Sequence, residues 1–193
     1  MSYCRLPFTP PALGNDDPEM LGAMNNLAVT HQSMGNRAAA LALVQEALDG
    51  SRRTQGSDHS NTIVSIGNVA GLHSNMGNYG LALPLQKECL ERSRRVLGGG
   101  HPQTLQNVGD LGILLFNMGD VAAAAPLLRE AVQGLSGVYS AEHRVVRHFQ
   151  GELDQLTERQ TANAAAEQPE APAAEQPAEE TMYQRIAKRR RRE

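Results

Sequence analysis

The chain has 193 residues, with 18 Lys and Arg against 21 Asp and Glu, and a net charge of −3. The charge is unevenly placed, because residues 182–193 carry +5 and the remaining 181 residues carry −8. An acidic body excludes a surface that grips a phosphate backbone, which needs clustered Lys and Arg.

Targeting and redox signals point to an interior compartment. No apolar run approaches the roughly 18 residues that span a bilayer, so we expect no membrane contact. Residues 1–14 lack the basic start and apolar middle of a signal peptide. Cys4 and Cys89 are the only cysteines, and they suggest neither a disulfide framework nor a metal site. We therefore expect a cytoplasmic or nuclear protein, with Cys89 as a small buried thiol.

A fixed period follows residues 1–15, which we expect to be disordered. The string Met-Gly-Asn/Asp occurs at 34–36, 76–78 and 118–120, in steps of 42 residues. His59, His101 and His143 keep the same step. A period of this size predicts a stack of similar supersecondary units, with repeats at about 17–58, 59–100 and 101–142.

The third unit is typical of a helical hairpin. Apolar residues recur at three- and four-residue steps between Pro102 and Met118, which predicts a first α-helix. Proline suits the first helical position, and Gly119 can adopt the left-handed conformation that ends a helix. Asp120 then accepts N–H bonds at the start of a second helix, and Asn36 and Asn78 are expected to do the same. So short a connection makes the two helices antiparallel.

The second helix of each unit repeats one spacing of small and apolar residues. Small side chains fall where backbones approach closely, and larger ones fill the space between hairpins. The aligned sets are Ala40, Ala82 and Ala124; Leu43, Leu85 and Leu127; Ala47, Cys89 and Ala131; and Leu48, Leu90 and Val132. Pro84 and Pro126 lie about two turns into their helices, so we expect a local kink or a frayed start there.

The arginine pairs Arg52-Arg53 and Arg94-Arg95 fall in the last turns of the second helices. Cations there oppose the negative end of the helix dipole. We interpret them as a solvated, dipole-matched face.

The end of the array is also predicted from the pattern. Residues 143–158 carry a further apolar stripe and are expected to form a helix that caps the stack. Residues 159–181 are almost wholly Ala, Glu, Gln and Pro, which predicts a solvated low-complexity linker. Residues 182–193 form a basic tail.

The repeat resembles the tetratricopeptide repeat (TPR) of the kinesin light chain type. The resemblance lies in Asn25-Asn26-Leu27-Ala28, Met34-Gly35-Asn36 and Ala47-Leu48, and most specifically in Leu97-Gly98 followed by His101-Pro102, Thr104 and Leu105. It covers about residues 16–158. It implies an all-α solenoid of antiparallel helical hairpins, with three 42-residue repeats and a C-terminal capping helix.

The resemblance also implies a right-handed superhelix whose first helices line a groove for extended peptides. Carried over to this chain, the groove face holds Asn25, Val29, Gln32 and Ser33 in the first unit; Val64, Gly71, Ser74 and Asn75 in the second; and Gln106, Ile113, Phe116 and Asn117 in the third. Asparagine suits this task because one amide both donates and accepts hydrogen bonds. This face differs from the family pattern in having Gly67 and Gly109 where Asn25 stands, and in being poor in cations.

The residue spacing does not favour a metal site, a phosphate loop or a catalytic site. The three histidines are a whole repeat apart, whereas zinc needs its ligand atoms near 2 Å, so we expect no metal site. Gly98-Gly99-Gly100 lacks the Lys-Ser/Thr of a phosphate loop. No Ser-His-Asp or Cys-His arrangement has a plausible shared site, so we expect no enzyme and no cofactor.

The sequence thus favours an adaptor that binds a protein or peptide ligand in its groove. The alternative is a regulatory TPR arm or fragment of a larger enzyme, signalling ATPase or kinesin light chain-like protein. The tail segment Lys188, Arg189, Arg190, Arg191 and Arg192 is typical of a nuclear-import or nucleic-acid patch, and equally of a simple solubilising end. Binding of nucleic acid is therefore expected, if anywhere, through this tail.

Overall fold

The structure is a computed structural model that describes residues 16–166, with side chains to residue 162. It contains seven α-helices and, within these residues, no strand. They are α1 Pro18–Ser33, α2 Arg37–Thr54, α3 Ser60–Asn75, α4 Tyr79–Leu97, α5 Pro102–Asn117, α6 Val121–Ser136 and α7 Arg144–Ala166. The predictions for residues 1–15, for the basic tail and for most of the linker lie outside the described residues.

Three antiparallel hairpins, α1–α2, α3–α4 and α5–α6, stack in chain order, as the period predicts. Gly35, Gly77 and Gly119 lie between the two helices of each hairpin with φ of 80°, 76° and 89°. This is the left-handed region, where a Cβ atom would be strained. The predicted role of Gly119 as a helix stop is confirmed.

The start of each first helix is fixed by one repeat position. The Asp17 carboxylate accepts the N–H of Glu19, and His59 and His101 accept the N–H two residues on through Nδ1, at 3.2 and 3.1 Å. His143 does the same for Val145 at 3.4 Å. The periodic histidines are therefore N-caps, which satisfy an otherwise unpaired donor at the helix start.

The second helices differ from the prediction at their caps. Asp120 accepts the N–H of Ala123 at 3.0 Å, but Asn36 and Asn78 make no side-chain cap bond. The expectation that all three would cap was wrong for the two asparagines. Asparagine and aspartate are equally good N-cap residues in general, so the difference lies in the local geometry of these two turns.

Both prolines lie inside continuous helices. Pro84 and Pro126 are the sixth residues of α4 and α6, which begin at Tyr79 and Val121 without a frayed turn. The carbonyls that each proline leaves without a donor belong to Gly80 and Ala122, four residues back, and both of these residues are exposed. Water can reach those carbonyls, so the lost bond does not end the helix.

The core follows the aligned small residues. Ala40, Ala82 and Ala124 are fully buried, and Cys89 is 1% exposed, with its thiol donating to the Ile63 carbonyl at 3.3 Å. Burial raises the pKa of the Cys89 thiol to about 12. The prediction of a small buried thiol at this position is therefore confirmed.

The arginine pairs do more than face solvent at helix ends. Arg52 pairs with Glu88 at 3.3 Å, and Arg94 pairs with Glu130 at 3.4 Å, each joining one second helix to the next. Arg53 pairs with Asp16 and Arg95 with Asp58, again at equivalent repeat positions. Such solvent-accessible pairs contribute little individually, but they recur with the hairpin at equivalent repeat positions.

The last helix is longer than predicted. The compact helical unit ends at Glu158, but α7 continues to Ala166, eight residues past the expected end of the capping helix. Residues 161–166 are Thr-Ala-Asn-Ala-Ala-Ala, and the first proline comes only at Pro169. Alanine has the highest helix propensity, so nothing in this stretch ends the helix.

Candidate functional site: an amide-lined groove

The first helices α1, α3 and α5 line a concave groove of about 610 Å³, to which α2, α4 and α7 also contribute. We call it the amide groove, because eight of its 22 lining residues are asparagine or glutamine. These are Gln32, Asn68, Asn75, Gln86, Gln103, Gln106, Asn107 and Asn117. Its volume lies within the range of known ligand sites.

Nine of the twelve residues predicted for the groove face line this groove. They are Val29, Gln32, Val64, Gly71, Ser74, Asn75, Gln106, Ile113 and Asn117. All nine lie on first helices. Within each helix they are three, four or seven residues apart, a spacing that places side chains on one face. The structure thus brings residues from all three hairpins onto one concave surface.

The other three predicted residues lie elsewhere. Asn25 is buried and 9% exposed, Ser33 is exposed and donates to the Thr30 carbonyl at 2.8 Å, and Phe116 packs against the core around α5 and α6. The assignment of these three to the groove lining is therefore corrected. Their repeat equivalents Gly67, Asn75 and Ser74 do line the groove, so the local contacts of these three side chains, and not their helix face, set them apart.

Asn25 has a structural role instead. Its amide donates to the Ser65 hydroxyl at 3.0 Å and the Leu21 carbonyl at 3.2 Å, and its carbonyl oxygen accepts from Asn68 at 3.1 Å. These bonds join α1 to α3. A buried amide whose donors and acceptor are used in this way stabilises packing and is not free to bind a ligand.

Several lining residues were not predicted from the sequence. They are Asn68, Gln86, Gln103, Asn107, Asp110, His148 and Glu152. Gln86 was missed because it belongs to a second helix, from which it donates to the Asn107 carbonyl at 3.1 Å. His148 and Glu152 were missed because α7 was interpreted only as a cap. Asp110 could have been found, since it lies one turn after Gln106 on the same helix face.

The charges of the groove are one-sided. Its lining contains two carboxylates, Asp110 and Glu152, together with His148, and neither lysine nor arginine. The surrounding protein raises the pKa of the Asp110 carboxyl to about 7. The cause is desolvation of the carboxyl by the groove walls, which disfavours its charged form and shifts its pKa upward, although the residue as a whole is exposed to the groove.

No metal centre is assembled in the part of the chain that the structure describes. No three His, Cys, Asp or Glu side chains there are placed to hold a metal ion. His59, His101 and His143 use Nδ1 for helix capping. Within the same residues, none of the helices is long and apolar enough to cross a membrane.

A family comparison agrees with this geometry. The model of the tetratricopeptide repeat matches residues 19–90 and 63–136, which together cover more than half of the chain. The chain belongs to the tetratricopeptide-repeat family. Its helical hairpins are thus TPR units, a fold type that serves as a protein-interaction scaffold. No curated protein sequence matches the chain.

Solved structures give the same fold. The TPR-like repeats of a Podosopora anserina protein designated a kinesin light chain share 24% identity and a TM-score of 0.60, over 81% of this chain and 76% of that one. BtubC (BKLC) from P. vanneervenii shares 18% identity and a TM-score of 0.60, over 84% of this chain and 70% of that one. The Sgt2 TPR domain from Aspergillus fumigatus shares 15% identity and a TM-score of 0.58, over 84% and 93%. At these identities the likeness is one of fold, and it includes the kinesin light chain type of repeat.

Proposed function

We propose that this TPR array is an adaptor that binds an extended segment of a partner protein in the amide groove and performs no chemistry itself. The observation that carries the proposal is the supply of groove amides by every hairpin, from Gln32 on α1 to Asn117 on α5. An extended segment presents N–H and C=O groups at regular intervals, and one amide side chain can answer both.

The groove also offers apolar contacts between its amides. Val29 is 57% exposed and Val64 is 40% exposed. Val29, Gly71 and Ile113 occupy the same repeat position in the three successive hairpins, and all three line the groove. Isolated exposed valines need no explanation, but here they alternate with amides on one concave surface. Backbone recognition by amides and side-chain recognition by small apolar patches together suit an extended peptide.

Affinity capture with the whole chain tests this proposal. The test variant is Asn75→Ala with Asn117→Ala, which removes two groove amides at equivalent positions of α3 and α5. The matched control is Asn61→Ala with Gln133→Ala, because these amides are exposed and lie outside the groove. Proteins retained by the parent and the control, but lost by the test variant, are the expected result.

Identical partner lists for all three proteins would contradict groove recognition. Thermal unfolding of each protein, followed by circular dichroism, separates lost binding from lost folding. The exposed amides should change the free energy of unfolding by less than about 0.5 kcal/mol.

A cytoplasmic location, with nuclear import through Lys188, Arg189, Arg190, Arg191 and Arg192, belongs to the same proposal. Its support is the compact cation run in the sequence. A fluorescent fusion that lacks residues 188–193 should lose nuclear signal relative to the parent fusion. An unchanged distribution would remove the import role.

A further inference from the structure

One repeat position changes from amide to carboxylate along the amide groove. Asn68 on α3, Asp110 on α5 and Glu152 on α7 are each 42 residues apart, and all three line the groove. Because equivalent positions of stacked units lie side by side, the two carboxylates lie on the neighbouring helices α5 and α7 and line the same groove. The C-terminal end of the groove is therefore acidic, whereas the rest is neutral.

No basic side chain of the described residues neutralises this end. None of the ion pairs among those residues includes Asp110 or Glu152. Arg144 lines a smaller adjoining pocket of about 370 Å³, which Asp110 and His148 share with the groove. The Cys89 thiol, on α4, also lies near Asp110, and its high pKa keeps it neutral.

An uncompensated carboxylate within a groove favours a cation from outside. The protein around Asp110 disfavours the charged form of its carboxyl, and a positive charge placed beside it reverses that effect. A long lysine or arginine stem can also lie along the apolar groove residue Ile113 while its charged end reaches the carboxylates. A divalent cation fits less well, since it requires more oxygen ligands than these two side chains provide.

We propose that the amide groove selects extended segments bearing a lysine or arginine, whose cationic group sits between Asp110 and Glu152. This inference rests on the proposed function and names the class of peptide that the groove takes. The amides bind the backbone of the segment, and the two carboxylates fix its direction and register. Electrostatic complementarity of this kind supplies specificity by penalising segments with an acidic residue at the same place.

Pools of short, unstructured synthetic peptides with one fixed central residue provide the test. The fixed residue is arginine, lysine, glutamate or norleucine, and binding to the whole chain is measured by fluorescence anisotropy. The parent should prefer the arginine and lysine pools over the norleucine pool by about tenfold, as expected for a charge-assisted hydrogen bond. The glutamate pool should bind most weakly.

Asp110→Asn is the decisive variant, since it removes the charge and keeps the shape. It should reduce the preference for the arginine pool to near unity. Because it also removes an uncompensated carboxylate, it should fold at least as stably as the parent. The matched control is Asp154→Asn, an exposed residue of α7 outside the groove, which should retain the full preference.

The preference should also depend on pH. Recognition needs the ionised carboxylate, and the pKa of Asp110 is raised, so affinity for the arginine pool should fall as the pH is lowered from neutral and Asp110 takes up a proton. Arg144, His148 and Glu152 on α7 face the same site, and α4 contributes Cys89. Loss of the pH dependence in Asp110→Asn assigns the effect to Asp110 and not to these neighbours.

The outcomes separate this inference from the adaptor function. Binding of all pools with equal affinity, or preference for glutamate, overturns cation selection and leaves groove recognition standing. An unchanged preference in Asp110→Asn does the same. Failure of every pool to bind the parent contradicts both proposals.

Discussion

The same repeat contact is built in opposite ways at the two ends of the array. At the N-terminal end, Asn25 of α1 donates to the hydroxyl of Ser65 on α3, at 3.0 Å. The equivalent pair at the C-terminal end is Gly109 of α5 and Phe149 of α7, where the aromatic ring occupies the space of the missing side chain. One end is joined by a polar network and the other by aromatic packing.

This difference shows that the two positions must be considered together. The three pairs are Asn25 with Ser65, Gly67 with Asn107, and Gly109 with Phe149, and each is separated by 40 residues. At the C-terminal end the Phe149 ring fills the room that Gly109 leaves, as close packing requires. At the middle pair, a Cβ atom at Gly67 would lie within 4 Å of the Cys89 sulfur alone, so Asn107 does not fill that space.

The largest expected effect is at the aromatic end. Phe149→Ala should lower the free energy of unfolding by about 3 to 5 kcal/mol, because it leaves a cavity in the core where Phe149 is 2% exposed. Urea denaturation followed by circular dichroism measures the change. Arg147→Ala, an exposed substitution on the same helix, is the control and should change stability by less than about 0.5 kcal/mol. A loss below about 1 kcal/mol for Phe149→Ala would mean that the ring does not hold α7 to the array.

Overfilling the same contact should cost less. A Cβ atom at Gly109 would lie 2.4 to 2.7 Å from three ring atoms of Phe149, so Gly109→Ala should destabilise the protein by about 1 to 3 kcal/mol. Gly22→Ala is the matched control, since nothing lies within 4 Å of its Cβ position and alanine should raise helix stability there by about 0.5 to 1 kcal/mol. Thermal unfolding compares the two. Equal and positive effects on stability would show that the ring yields without cost.

The polar end should respond by losing hydrogen bonds. Asn25→Ala leaves Asn68 without an acceptor and removes the donor to Ser65, which keeps its own bond to the Asn61 carbonyl at 3.0 Å. We expect a loss of about 1 to 2 kcal/mol in the free energy of unfolding. A double-mutant cycle with Ser65→Ala measures the coupling between the two residues. Additive losses would mean that the amide network contributes nothing beyond each residue alone.

The repeat architecture was predictable because its signals are local and periodic. Gly119 and the aligned alanines report backbone conformation and close approach, which depend on few neighbours. Most of the groove face followed from the resemblance to the tetratricopeptide repeat, which implies that the first helices line the groove. By contrast, the internal use of Asn25 depends on Ser65 and Asn68, which lie one hairpin away. A single helix does not reveal whether its amide faces the groove or the next helix.

The groove residues that the sequence did not predict were missed for the same reason, which is that their position depends on contacts between hairpins. Gln86 and Glu152 belong to a second helix and to the capping helix, so they reach the groove only through the stacking of hairpins. The absence of a side-chain cap at Asn36 and Asn78 depends on small differences in local geometry. Comparison of equivalent positions across hairpins would have identified Asp110 and Glu152 as neighbours, because they differ by one period.

The smallest expected change in stability is at the N-cap position that precedes the first helix of every hairpin. A substitution there tests whether the two ends of the array differ in packing alone. His101 caps α5 through Nδ1, and Asp17 occupies the same place on α1. His101→Ala should lower the free energy of unfolding by about 0.5 to 1 kcal/mol, whereas His101→Asn should keep the parent's stability, since asparagine is a strong N-cap. Thermal unfolding of both variants measures this. A loss as large as that of Phe149→Ala would show that helix initiation, and not packing against Phe149, limits the stability of the C-terminal end.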